Sequence, residues 1–303
     1  MPKTIIRQPN SFVFAGPNGS GKSSLIAQIK KNGVASKHSN IPCPTLIINP
    51  DQVAQNLPGP FANQEERDLA AFHAVRQMRL DVMDSKCSFG FETVMSHPSR
   101  INEMRRLKQL GFTLVLFFIT TDHPDKNVAR VAFRVKTKST TGHDVPEKKV
   151  RERYERTLAL LPKAVELADV ALVFDNSVDH QDFKLQVAIE GETMFEVKKE
   201  HRPWVAQRLL QPLEERSNEL DQISALMNAQ GKSAALDADE LAGQYKGPLI
   251  WQGKHFILQL DRQSQQAVIH DCAMLETMGD TLNFTGDISI IYTLENAPAL
   301  TSC

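Results

Sequence analysis

Residues 12–29, FVFAGPNGSGKSSLIAQI, pass from a short apolar stretch through a glycine-rich turn to a lysine and then an amphipathic helix pattern. Gly16-Pro17-Asn18-Gly19-Ser20-Gly21-Lys22-Ser23 fits GxxxxGK[ST], and its place between a strand and a helix is the context this motif requires. Glycine adopts positive φ without steric cost, so successive N–H groups and the positive end of the helix can surround a phosphate. This reading assigns Gly16, Pro17, Asn18, Gly19, Ser20, Gly21, Lys22, Ser23 and Ser24 to nucleotide binding, with Lys22 on the β/γ oxygens and Ser23 on Mg²⁺. ATP or GTP with Mg²⁺ is the expected donor.

The remainder must supply a parallel sheet behind that loop. Apolar runs at 11–15, 45–49, 87–93, 112–119 and 170–174 alternate with helix patterns at 21–31, 63–84, 98–110, 123–135 and 146–167. Most of these runs are apolar throughout, as strands covered on both faces should be. Two more strands are expected at 185–190 and 193–199. After Pro203 the texture changes to a polar helix over 204–230, interrupted at Pro212, then to short strands and turns. The expectation is an α/β P-loop fold, a mainly parallel sheet flanked by helices, plus a small C-terminal all-β domain. Its boundaries are 1–200, a helical linker at 201–239, and 240–303. A chain of 303 residues suits two domains.

Lys and Arg total 35 against 36 Asp and Glu, so no global charge favours nucleic acid or an anionic membrane. Cys43, Cys87, Cys272 and Cys303 form no CxxC pair, which argues against a zinc site or disulfide framework. With neither a signal-peptide pattern nor an apolar run of membrane-spanning length, a cytoplasmic protein without a membrane partner is expected.

The motifs accompanying the loop are not those of a GTPase: there is no NKxD and no DxxG after a strand. Asp175 closes an apolar run, but Asn176 and Ser177 after it read equally as a turn. Asp51, in INPDQVA, falls where a parallel sheet places ligands; it is either a base that accepts a hydroxyl proton or a helix cap. Glu92 and Thr93, ending FGFET, are either acceptor ligands or strand-end caps. Between Lys126 and Arg156 there are ten Lys or Arg against four Asp or Glu. Arg130 and Arg134 share a helical face there, before the stretch KTKSTTGHDVP, an arrangement that suits charge neutralisation during phosphoryl transfer. Lys148, Lys149 and Arg156 read as a solvated face, and His143 as a turn residue.

The order AGPNGSGKSS, NPD, FET, ARVAFRV, GHDVPEKKVRERYERTL and FDNS resembles the zeta-toxin family of kinases over about residues 10–180. The resemblance implies a kinase that phosphorylates a sugar hydroxyl of a nucleotide sugar, UDP-N-acetylglucosamine. It implies Lys22 and Ser23 on nucleotide and Mg²⁺, Asp51 as base, Glu92 and Thr93 on the acceptor, and Arg130 and Arg134 on the γ-phosphate. It also implies a small helical antitoxin as partner. The chain departs from the pattern at Val94, where relatives often carry a second threonine, and at STTGHD, where a second glycine is usual. The segment from LAGQYKGPLIW onward looks like a KfrB-type domain, taken as a recognition or regulatory appendage in which His255 and His270 are ordinary strand residues. The alternative is a nucleic-acid-associated P-loop NTPase using the basic 126–156 segment. It ranks second, because no stacking aromatic platform is interleaved with that segment, Tyr154 being the nearby candidate.

Overall fold

The computed structural model describes residues 8–33, 42–137, 145–191, 193–197, 199–275, 286–294 and 299–302. Expectations for His143, for most of the 136–146 stretch and for Cys303 fall outside them. The chain divides into two compact units. The first comprises Met1–Ser96, Met104–Leu158 and Ala164–Pro203; the second comprises His97–Glu103, Ala159–Lys163 and Trp204–Cys303.

The strands of the first unit are β1 (Asn10–Ala15), β2 (Ile47–Ile48), β3 (Phe89–Thr93), β4 (Thr113–Thr120), β5 (Val170–Asp175), β6 (Lys184–Glu190) and β7 (Thr193–Val197). They lie in the order β2-β3-β1-β4-β5-β6-β7. Pairings from β2 to β5 are parallel, and β6 and β7 add antiparallel strands at one edge. β1 and β4 are almost wholly buried, because helices cover both faces and leave no polar side to alternate. Helix α1 (Lys22–Asn32) lays Leu25, Ile26 and Ile29 on Phe12, Phe14 and Phe117. The Phe14 and Phe117 rings stack at 5.0 Å, fixing β1 against β4 directly behind the phosphate loop.

The other helices are α2 (Pro50–Asn56), α3 (Gln64–Asp84), α4 (Ser99–Gln109), α5 (Pro124–Thr137) and α6 (Glu147–Leu167). The expected strand at 45–49 shortens to two residues because Asn49 turns the chain and Pro50 opens α2, a helix that the sequence suggests only through a possible cap at Asp51. Asn49 is the helix cap here, and Asp51 lies in the first turn.

In the second unit, a short helix α7 (Pro203–Val205) leads through a wide π turn, Ala206–Leu210, into α8 (Gln211–Ala229). The expected break at Pro212 does not occur. The Gln211 N–H bonds back to Ala206 O, and this widened turn makes room for a proline that has no N–H and crowds the preceding turn. Strands β8 (Leu236–Asp237), β9 (Gln244–Gln252), β10 (Phe256–Leu260), β11 (Ala267–Asp271), β12 (Asp287–Ile291) and β13 (Ala299–Ser302) form one sheet in the order β13-β12-β9-β10-β11-β8. The stretch expected as a linker packs on this sheet, Ile223 and Met227 of α8 meeting Phe256, Leu258 and Ala267. Asp271 is buried with Lys163 and Arg216, each 2.7 Å from Oδ2. Burial alone would raise this carboxyl, but the two cations overcome it and hold Asp271 well below the usual carboxylate range. Among the described residues no helix is long and apolar enough to cross a membrane.

Candidate active site

The phosphate loop joins β1 to α1 through backbone only glycine can adopt. Gly16, Gly19 and Gly21 have φ of +151°, +75° and +103°. A Cβ on Gly16 would stand 2.0 Å from Ile119 O, and one on Gly19 2.7 Å from Asn127 O. The loop is therefore pressed against β4 and α5, its carbonyls tied by two side chains the sequence reading missed. Asn127 Nδ2 donates to Asn18 O at 2.6 Å, and Asn176 Nδ2 donates to Ser20 O at 2.8 Å.

Lys22 Nζ donates to Gly16 O at 2.8 Å and Pro17 O at 2.9 Å, and Glu92 Oε1 lies 3.8 Å away. Burial pushes this ammonium below its ordinary value; Glu92 and Asp51 oppose the shift, while Arg134 and Arg153 add to it. Glu92 Oε2 accepts from Ser23 Oγ at 3.2 Å and from Asn49 Nδ2 at 2.8 Å. The residue expected on the acceptor side thus stands against the lysine and serine of the donor side.

These groups open on a cavity of about 340 Å³. Asn18, Gly19, Lys22, Asp51, Glu92, Thr93 and Arg134, all singled out from the sequence, line it. Thr93 Oγ1 also accepts from Met95 N at 3.1 Å, and Val94 faces the same cavity. Two basic residues from the start of α6 join them, Lys149 and Arg153, one helical turn apart. The sequence reading left Lys149 with the solvated face and did not single out Arg153. Their i, i+4 spacing is the signal that puts them on one face. Arg153 Nη1 reaches Asn18 Oδ1 at 3.4 Å, and burial, followed by the Arg156 charge, pushes its guanidinium below the ordinary value.

Arg130 departs from expectation. It shares a face of α5 with Arg134 but does not line the cavity, because Asp179 claims it: Nε and Nη2 donate to Asp179 Oδ1 at 3.0 and 2.5 Å. Asp175 closes β5 and holds the turn that follows it. Its carboxylate accepts from Ser177 N at 3.1 Å and Ser177 Oγ at 2.6 Å, and Arg202 Nε lies 3.3 Å away.

The model of the zeta toxin family matches residues 2–184. The chain belongs to the zeta toxin family. The matched span carries the phosphate loop, Asp51, Glu92 and both cavity arginines. This zeta toxin family member is 29% identical over 155 residues to an uncharacterized protein of Haemophilus influenzae, covering 50% of this chain and 97% of that one. Among solved structures it is similar to one of the PezAT chromosomal toxin-antitoxin system of Streptococcus pneumoniae, at 16% identity and a TM-score of 0.41 over 70% of this chain and 87% of that one. It is also similar to AvrRxo1-ORF1:-ORF2 with ATP, at 14% identity and a TM-score of 0.47 over 62% of this chain. There it spans 60% of the other chain's length.

Proposed function

We propose that the zeta toxin unit transfers the γ-phosphoryl group of ATP or GTP to a hydroxyl of a nucleotide sugar such as UDP-N-acetylglucosamine. The observation that carries this reading is that Asp51 opens on the same cavity as Lys22, Arg134, Lys149 and Arg153. A carboxylate facing a cluster of cations can take the acceptor's proton while the cations answer the charge on the transferred group. In that step the acceptor oxygen bonds to the γ-phosphorus, the bridge to the β-phosphate breaks, and the hydroxyl proton passes to Asp51. Glu92 and Thr93 hold the acceptor, and Arg134 and Arg153 flank the transferring group. The glycine cradle that side chains would fill, and a buried lysine whose hydrogen-bond acceptors are loop carbonyls, fit a triphosphate.

For Mg²⁺ the fitting residue is Ser23, with Glu92 one hydrogen bond away. Among the described residues no cluster of three or more His, Cys, Asp or Glu could hold a metal, so the donor set fits an ion bound chiefly by phosphate and water. When bound, the ion neutralises phosphate charge during transfer.

On this reading the β-rich C-terminal segment is a KfrB-like recognition or regulatory domain, and a small helical antitoxin restrains the kinase. The test is to incubate the full chain with Mg-ATP and UDP-N-acetylglucosamine and weigh the products by mass spectrometry. A sugar nucleotide heavier by one phosphoryl group is expected. Release of inorganic phosphate with no phosphorylated acceptor, there or in a metabolite extract, would overturn it.

A further inference from the structure

We infer that Asn49 is a positioning residue that sets Asp51 and Glu92 in register, so that the acceptor base and the phosphate loop act as one unit. The inference rests on the kinase reading above. Asn49 caps α2: its Oδ1 accepts from Asp51 N at 2.9 Å and from Gln52 N at 3.2 Å. Its Nδ2 donates at 2.8 Å to Glu92 Oε2, the oxygen that also accepts from Ser23 Oγ. A single planar amide therefore links the backbone of the proposed base to the carboxylate beside Lys22 and Ser23.

The orientation of that amide is fixed by chemistry. Flipped, it would aim an NH₂ group at two N–H donors and an oxygen at a carboxylate, and all three bonds would be lost. An aspartate, serine or threonine would cap α2 as well. Only asparagine both caps the helix and donates to Glu92 from the same plane. Capping alone thus leaves half of the residue's bonding unexplained.

The groups around Glu92 make the donor matter. Lys22 and Ser23 of α1 approach its carboxylate, Asp51 stands on α2, and Arg79 of α3 donates to the Glu92 main-chain oxygen at 3.3 Å. The Arg79 bond fixes the backbone but leaves the carboxylate free to rotate. Among the described residues, Asn49 is the one side chain outside the phosphate loop with a hydrogen bond to that carboxylate.

The test compares Asn49→Ser and Asn49→Asp with the native full-length protein. Both keep a cap; thermal stability should stay close to native in Asn49→Ser and fall in Asn49→Asp, whose new carboxylate faces Glu92, while in both kcat should fall about 10- to 100-fold with little change in KM for the nucleotide. The two variants then part with pH. In Asn49→Asp, two facing carboxylates cannot both stay ionised, and a shared proton recreates a donor, so its rate relative to native should recover as pH falls. Asn49→Ser should show no such recovery. A crystal structure of the Asn49→Ser protein should show α2 in place and Glu92 beyond hydrogen-bond range of Ser23.

Variants with native kcat and native pH profiles would overturn the inference, as would a crystal structure in which Glu92 is unmoved. The crystal structure reads the inference even if the native protein phosphorylates nothing, an outcome that would instead remove the kinase reading.

Discussion

Lys22 Nζ sits 3.8 Å from Glu92 Oε1 while donating to the Gly16 and Pro17 carbonyls of its own loop. The ammonium is thus shared among loop carbonyls and one carboxylate, and burial already pushes it below its ordinary value. A bound phosphate adds anionic charge beside it and favours the protonated form. Nucleotide affinity should therefore be strongest at neutral pH and weaken as pH rises through the lowered Lys22 value, with net proton uptake on binding there. Calorimetry in buffers of different ionisation enthalpy reads that uptake directly. Lys22→Met should abolish it and lower kcat at least about a hundredfold.

The arginines separate by what holds them. Arg134 and Arg153 face the cavity, whereas Arg130 is bound to Asp179. Arg134→Ala and Arg153→Ala should each lower kcat about 10²- to 10³-fold, the usual cost of removing a group that stabilises developing charge. Arg130→Ala should cost less than about tenfold, because its exposed ion pair with Asp179 contributes little. Steady-state kinetics on the three single variants decides the ranking; an Arg130 effect as large as that of Arg134 would place Arg130 at the phosphate after all.

Gly16 tests the cradle. An alanine there meets Ile119 O at 2.0 Å near the C-terminal end of β4, and it must also hold φ near +151°. Neither conflict can relax cheaply, since the obstacle is backbone. Gly16→Ala should lower stability by about 2 kcal/mol or more and weaken nucleotide binding, read by denaturant unfolding and by titration with nucleotide. Gly33→Ala is the control: Gly33 also has positive φ but nothing stands within 4 Å, so its cost is confined to backbone strain.

The fold was legible where hydrophobic pattern and glycine geometry dominate. Apolar runs such as FTLVLFFI can be buried only inside a two-faced parallel sheet, and the loop after SFVFA demanded a helix behind it. The arrangement of the site was less legible, because it depends on which polar groups find each other across the sheet. Glu92 reads as an acceptor ligand or a strand-end cap from its place on β3, but its hydrogen-bond partners Ser23 and Asn49 lie 69 and 43 residues away. Arg130 matched Arg134 in helical phase, and only the turn carrying Asp179 distinguishes them. Arg153 was hidden in a charged stretch whose outward face resembles its inward one. Asn49 is not singled out from the sequence, where Asp51 reads as the possible cap; an asparagine before Pro50 and Asp51 is a helix-start pattern, but nothing local signals its bond to Glu92.

His270 makes the second unit sensitive to acid. The ring is buried, its Nδ1 lies 3.0 Å from the Tyr292 hydroxyl, and Tyr292 stacks on it at 5.9 Å. Burial lowers its pKa from 6.5 to about 3, and the Asp261 charge opposes this only in part. The unfolded chain thus takes up a proton near pH 6.5 that the folded unit refuses until about pH 3. Its stabilising contribution is complete above pH 6.5 and is lost progressively as pH falls toward 3, by an amount on the order of a few kcal/mol. Asp271, whose carboxyl is also depressed, adds a loss of its own only at more acidic pH, so the range from 6.5 to 5 isolates the histidine. Trp204 and Trp251 are the chain's two tryptophans and both belong to this unit, so their fluorescence reports its unfolding in the intact protein. In urea, the native midpoint should fall between pH 6.5 and 5. His270→Phe keeps the stacked ring but strips the Tyr292 hydroxyl of its partner, so it should be less stable at pH 7 yet nearly flat over the same range. Parallel slopes for the two proteins would show that the acid sensitivity resides elsewhere.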